Sequence, residues 1–247
     1  MLFPPCCDVC GAEVQGHEGF CAECFAQARF IVQPACRHCG APLSAKGLAN
    51  ADGHCAPCEQ QAPLWDAAQA ALVYNEWTKR LILPLKYADR TENARILARE
   101  MFRVGEGMIR SAAFLVPVPL YRKKLWSRRY NQAALIAWHL SKLSGVPVLP
   151  MALRRLRSTR PLARLGSQER FREISGSIGV NPQYLSKLRG NPVVVIDDVL
   201  TTGATASACS QALREAGVER VELLVAARAG NMEEDRQNET RALRDYA

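Results

Sequence analysis

No stretch of this chain approaches the ~18 consecutive apolar residues that a membrane-spanning helix needs. The first residues also lack the basic segment and long apolar run of a secretory signal. The two absences predict a cytoplasmic protein with no membrane span. Histidine is scarce, at four residues. His17, His38 and His54 lie among cysteines, and His139 falls on a helical stretch where it reads as packed, so no general base stands out. Acid is scarce in one region above all. Between residues 120 and 172, Glu169 is the one carboxylate against thirteen lysines and arginines, a local net charge of +12 within a chain of net +8. Such a segment suits a polyanion, either pyrophosphate or a nucleic-acid backbone, with a solvated basic face as the plainer alternative.

Apolar residues and cysteine are plentiful. At 247 residues and 48% hydrophobic, the chain can bury a sizeable core and holds one ordinary domain plus a small module. Ten cysteines without an export signal fit metal ligation in a reducing compartment better than a disulfide scaffold. Eight of them form Cys-x-x-Cys pairs: Cys7/Cys10, Cys21/Cys24, Cys36/Cys39 and Cys55/Cys58. Each pair can supply half of a tetrahedral site, so eight thiolates make two closed four-cysteine zinc sites. Gly11 and Gly40 follow the first and third pairs and relieve the tight knuckle. The order reads as two successive zinc ribbons, with structural zinc at Cys7, Cys10, Cys21, Cys24 and at Cys36, Cys39, Cys55, Cys58. Spacing also admits an interleaved pairing, and ligand type alone admits an iron–sulfur cluster. Cys6 is left over, and Cys209 reads as a small buried side chain.

Residues 193–205 carry the second signal. Val193 to Ile196 form a β-branched apolar run suited to a strand buried on both faces. Asp197 and Asp198 follow at its carboxyl end, where open α/β sheets place ligands. Thr201, Thr202, Gly203, Ala204 and Thr205 then lead into a stretch of helix-forming composition. A loop at a helix N-terminus can hold a phosphate through backbone N–H groups and hydroxyls. Two acids beside an anion cradle suit a phosphorylated sugar, whose hydroxyls the carboxylates accept. The bland alternative is an ordinary strand–turn–helix with a threonine N-cap.

Between these signals lie further elements. A first strand is expected over 70–74 and an amphipathic helix over 76–87, with apolar Trp77, Leu81 and Leu85, which Pro84 should kink or shorten. A second helix is expected over 92–108, a strand over 114–118 and a helix over 126–140. Beyond Ala229 the composition turns polar.

The strand, Asp-Asp and Thr-Thr-Gly-x-Thr order resembles the signature of type I phosphoribosyltransferases, which bind 5-phosphoribosyl 1-pyrophosphate (PRPP). Cysteine knuckles, then Leu85-Lys86-Tyr87, Pro117-Val118-Pro119, Asn131-Gln132 and Asp197-Asp198, together resemble the ComF family of competence proteins. The resemblance implies an α/β fold with a mostly parallel sheet flanked by helices. Residues 1–62 would form a double zinc-ribbon module, 63–230 the phosphoribosyltransferase-like domain and 231–247 a tail. It implies PRPP held with Mg²⁺ by Asp197, Asp198, Thr201, Thr202, Gly203, Ala204 and Thr205. The acids would serve catalysis, and Arg122, Lys123 and Lys124 would hold the pyrophosphate. It also implies a role in DNA uptake, with single-stranded DNA and uptake proteins as partners and Trp126, Tyr130 and Phe171 as candidate stacking residues. A non-catalytic sensor of PRPP or a nucleotide is the alternative. The sequence departs from the family pattern at Arg129 (glycine), Tyr130 (phenylalanine), Leu162 (glutamine) and Glu173 (asparagine). The last two lie within or flank the arginine-rich 154–172 segment expected to form a flexible hood.

Overall fold

The computed structural model describes residues 5–14, 19–43, 52–121, 125–126, 128–159 and 165–229. Its centre is a parallel sheet in the order β1–β6–β5–β2, built from β1 (Ala67–Val73), β2 (Phe114–Pro117), β5 (Val193–Leu200) and β6 (Val221–Arg228). A parallel bridge between Leu115 and Val148 extends the β2 edge. β5 alternates its side chains between two layers. Val194 and Ile196 join the core formed by α3 (Glu76–Tyr87), α4 (Asn93–Arg110) and α5 (Gln132–Ser144). Val193 and Val195 join the opposite layer with α8 (Ala204–Glu215). The strand is apolar on both faces because it is covered on both, which fulfils its sequence reading.

Shorter pieces complete the chain: α1 (Ala22–Gln27), α2 (Ala56–Gln60), α6 (Ser167–Ile174) and α7 (Leu185–Leu188). β3 (Leu153–Arg155) and β4 (Ile178–Val180) pair as an antiparallel hairpin. This strand pair and α6 give regular structure to the two ends of the expected hood, residues 154–155 and 167–172, while residues 160–164 lie outside the described residues.

Two other expectations need adjustment. α3 runs through Pro84 without shortening, because the Ala88 N–H still bonds the Pro84 carbonyl and Leu81, Ile82 and Leu85 are fully buried on either side. The one hydrogen bond a proline removes here belongs to the carbonyl of Arg80, an exposed residue. The helix expected over 126–140 is interrupted: residues 125–126 and 128 are helical, the helix breaks at residues 129–131, and α5 begins at Gln132. Asn131 caps it, its Oδ1 accepting from the N–H groups of Ala133 and Ala134, and its Nδ2 donates to the Val118 carbonyl at 2.9 Å. Just before this cap, Arg129 has φ of 63°. That is the position where the family pattern has glycine.

The cysteine-rich segment is joined to the sheet at two places. Residues 29–31 run antiparallel along the outer edge of β1, with Ile31 N–H to Ala71 O at 2.9 Å and Val73 N–H to Arg29 O at 2.8 Å. The first ribbon packs over α3 and α4, where Asp8 pairs with Arg99 at 2.8 Å and Phe20 meets Trp77 edge to face. The second ribbon contacts the start of β1, through Ala68 N–H to Arg37 O at 2.9 Å. Among the described residues no helix is long and apolar enough to cross a membrane.

Candidate functional site

The sulfur atoms of Cys7, Cys10, Cys21 and Cys24 lie within 4.8 Å of one another, and so do those of Cys36, Cys39, Cys55 and Cys58. The chain therefore pairs its knuckles successively, and the interleaved arrangement is excluded. A tetrahedral ion with bonds of about 2.3 Å requires sulfurs about 3.8 Å apart. Cys10–Cys21 and Cys39–Cys55 are each 3.7 Å apart. The donor sets thus fit zinc, with four thiolates closing each site. The second cluster is the more enclosed: Cys36, Cys39 and Cys58 are buried, whereas Cys10 in the first is exposed.

The other candidate site lies at the carboxyl end of β5. A cavity of about 180 Å³ is lined by Lys86, Arg170, the segment from Asp197 to Ala206, and Leu223 and Val225. Every residue expected at the anion cradle lines it. The Gly203 backbone, at φ of 80°, turns the chain from strand into α8. The Ala204 N–H donates to the Thr202 hydroxyl at 3.4 Å, and the dipole at this end of the helix favours an anion in the cavity. Asp197 accepts the Asp198 N–H at 2.9 Å, and Asp198 is 4% exposed with one carboxylate oxygen lacking a protein partner.

Lys86 answers the charge of this acidic pair. Its ammonium lies 2.8 Å from Asp198. Burial works against the lysine's charge, but Asp198 overcomes it, and the lysine pKa is raised. Among the described residues Asp197 has no such close cation. Burial, then the charge of Asp198, push its carboxyl up to about 7, against the pull of Lys86, the Asp198 N–H and Arg155. Among the described residues Lys86 is the ion-pair partner of these acids, and Asp197 is the one that holds its proton more tightly than an ordinary carboxyl.

The basic segment contributes in part. Arg170 places its guanidinium 3.4 Å from the Thr201 hydroxyl. Arg155 is used structurally, donating to the Pro119 carbonyl at 3.1 Å and to the Thr159 hydroxyl at 2.9 Å. Arg157 bonds the carbonyls of Glu173 and Ser175. Arg122, Lys123 and Lys124 lie outside the described residues. Of the candidate stacking residues, Trp126 is 82% exposed and Phe171 is 40% exposed. Tyr130 is anchored, its hydroxyl donating to the Leu85 carbonyl at 2.7 Å. Cys209 is fully buried in α8, as expected.

Sequence reasoning missed three contributors. Lys86 was visible only as the middle of Leu-Lys-Tyr. Arg228, at the end of β6, donates to the carbonyls of Leu200 and Thr201 and so braces the loop from below. Trp65 packs against Gly203, where an added Cβ would fall 2.8 Å from the indole ring. No local pattern marks either of the last two.

Residues 1–59 match the double zinc ribbon domain family, and residues 143–244 match the phosphoribosyl transferase domain family. Competence protein F of Haemophilus influenzae is 31% identical over 218 residues, 85% of this chain and 91% of its own length. DNA utilization protein YhgH of Escherichia coli strain K12 is 27% identical, covering 90% of this chain and 96% of its own length. Competence protein ComFC of Bacillus subtilis is 24% identical over 81% of this chain and 80% of its own length. With both domain matches in one order, a type I phosphoribosyltransferase fold around the acidic pair, and a relative aligned over most of both chains, the chain belongs to the ComF family.

Proposed function

We propose that this protein binds PRPP with Mg²⁺ and serves DNA uptake or the handling of imported single-stranded DNA. The observation that carries the ligand is the cavity in which two carboxylates adjoin the N-terminus of α8. Asp197 and Asp198 accept the ribose hydroxyls. Thr201, Thr202, Gly203, Ala204 and Thr205 hold the 5′-phosphate, with Arg170 beside Thr201 adding positive charge. Arg122 and Lys123 hold the pyrophosphate. Mg²⁺ bound with PRPP supplies further charge to the pyrophosphate leaving group. The two four-cysteine sites hold structural zinc. The DNA role follows the names of the competence and DNA utilization relatives, and the basic segment suits a polyanion.

Transfer of the ribosyl group to a nitrogen acceptor is the enzymatic form of this reading. Lys86 favours a second form, binding without turnover. Its ammonium offsets the charge of Asp198, which weakens the stabilisation those acids offer a ribosyl cation. Calorimetric titration of PRPP and Mg²⁺ into the wild type and the Asp197→Asn/Asp198→Asn variant tests the common core. Binding is expected in the first and loss of binding in the second. Equal affinity refutes the site. Pyrophosphate release, measured across bases and single-stranded DNA, separates transfer from binding alone.

A further inference from the structure

One buried side chain joins the second cysteine cluster to the phosphate loop. Trp65 is 5% exposed, and its indole N–H donates to the carbonyl of His38, which lies inside the Cys36–Cys39 knuckle. The far edge of the same ring meets Gly203, leaving no room for a Cβ there. Gly203 is the turn at which α8 starts beside the cavity, so the ring is a wall behind that turn. Its flanks are fixed to the same domain. The Leu64 carbonyl accepts from Arg214 at 2.9 Å, and the Asp66 carboxylate accepts from Arg214 at 2.7 Å and from the Val221 N–H at 2.8 Å.

The knuckle itself is seated on the sheet. Arg37, next to His38, bonds Ala68, and Gly40 at φ of 67° lies so close to β1 that an added Cβ would be 3.1 Å from the Ala70 nitrogen. The first cluster belongs to the other layer: Cys7 and Cys24 pack with α3 and α4, and Asp8 is held by Arg99. Among the described residues its contacts lead away from the phosphate loop.

We propose that Trp65 is a positioning residue through which the metal state of the second four-cysteine site, and not the first, sets the order of the phosphate loop. With zinc bound, four thiolates are drawn to one point and the His38 carbonyl is held where the indole N–H reaches it. Without zinc the knuckle has no covalent or ionic closure, and the ring loses its polar anchor. The wall behind Gly203 then gives way, and the cavity-lining segment from Thr202 to Ala206 is no longer held in place. Binding energies linked in this way are reciprocal. A ligand on the loop therefore strengthens zinc binding at the second site by the same factor that zinc strengthens the ligand. The consequence for PRPP rests on the proposed function, whereas the coupling between cluster and loop does not.

The test uses the full-length zinc-loaded protein and its Cys10→Ser, Cys55→Ser and Trp65→Phe variants. Amide hydrogen exchange of the peptide spanning 199–207 reports the loop without any ligand, and calorimetry reports PRPP with Mg²⁺. Loop exchange about tenfold faster in Cys55→Ser and Trp65→Phe, with Cys10→Ser like the wild type, is the expected result. PRPP affinity should fall in the same two variants, and PRPP should slow zinc release from the second site in the wild type but not in Trp65→Phe. Phenylalanine deletes both the N–H and the ring edge at Gly203 while leaving all eight thiolates in place, so it decides the matter if Cys55→Ser unfolds. Unchanged loop exchange in Trp65→Phe, or equal acceleration in Cys10→Ser, overturns the proposal. A wild type that fails to bind PRPP refutes the ligand reading, while the exchange measurement still decides the coupling.

Discussion

The Lys86 ammonium lies 2.8 Å from the Asp198 carboxylate, tying the last turn of α3 to the end of β5 beside the ligand cavity. Neither partner is well hydrated, with side-chain exposures of 19% and 6%. Removing one member of such a pair leaves an uncompensated buried charge, at a cost of about 3–5 kcal/mol. Lys86→Met should therefore lower the unfolding free energy in urea at pH 8 by about that amount. In an Asp198→Asn background the same substitution should cost much less, because the amide leaves no unpaired charge behind. An equal loss in both backgrounds would assign it to packing instead.

Asp197 gives the apo protein its own pH dependence. Its carboxyl is raised from an ordinary 3.8 to about 7, first by burial and then by Asp198. Between those values the folded chain keeps a proton that the unfolded chain has released. Stability from this group is therefore greatest at low pH and declines as pH rises through the window. Asp197→Asn should flatten the Tm profile between pH 4 and 8 and raise Tm at pH 8, while abolishing PRPP binding. A variant with the wild-type slope would show that the titration belongs elsewhere.

That trade between stability and site chemistry also marks where the sequence is readable. The acid pair and its loop were legible because strand, carboxylates and small residues are contiguous, so one local pattern fixes their geometry. The cysteine pairs were legible for the same reason, although successive and interleaved pairing became distinguishable only once the sulfurs were placed. Lys86, Trp65 and Arg228 come from three distant segments and meet only through sheet order. No pattern of period 2 or 3.6 contains that information. Pro84 misled because its rule concerns one hydrogen bond, and tertiary burial of Leu81, Ile82 and Leu85 outweighs it.

Arg129 holds φ of 63° at a position where the family pattern has glycine. A side chain in this left-handed region costs about 1–2 kcal/mol, partly offset by the greater freedom glycine gives the unfolded chain. Arg129→Gly should be neutral or stabilising by up to about 1 kcal/mol, measured by thermal unfolding. Arg128→Gly, one residue earlier, should be destabilising, because Arg128 stacks over Tyr87 at 4.8 Å. Equal destabilisation by both would mean that Arg129 carries no backbone strain.

Gly203 combines two constraints, a φ of 80° and the Trp65 ring 2.8 Å from any added Cβ. Gly203→Ala should destabilise by more than the about 1–2 kcal/mol of the backbone conformation alone. A smaller ring relieves only the steric part. The loss in Gly203→Ala/Trp65→Phe should then be less than the sum of the single losses, with a coupling of about 0.5–3 kcal/mol in a double-mutant cycle. Strict additivity would show that the ring does not limit the position.

The basic segment yields a prediction that separates partners. If it tracks a nucleic-acid backbone, affinity for a single-stranded oligonucleotide should fall linearly with the logarithm of salt, by a slope of about −0.7 for each phosphate neutralised. Arg154, Arg157 and Arg172 are exposed, so Arg154→Ala and Arg172→Ala should each make the slope shallower by about that increment. Trp126 is 82% exposed, so under the same condition an unpaired base can stack on it. Trp126→Ala should weaken binding by about 1–3 kcal/mol at every salt concentration, since stacking releases no counterions. Tyr130→Phe should leave affinity unchanged and lower stability instead, because its hydroxyl is committed to the Leu85 carbonyl. Binding insensitive to salt would remove the nucleic acid from the basic surface and leave pyrophosphate as the anion that explains its charge.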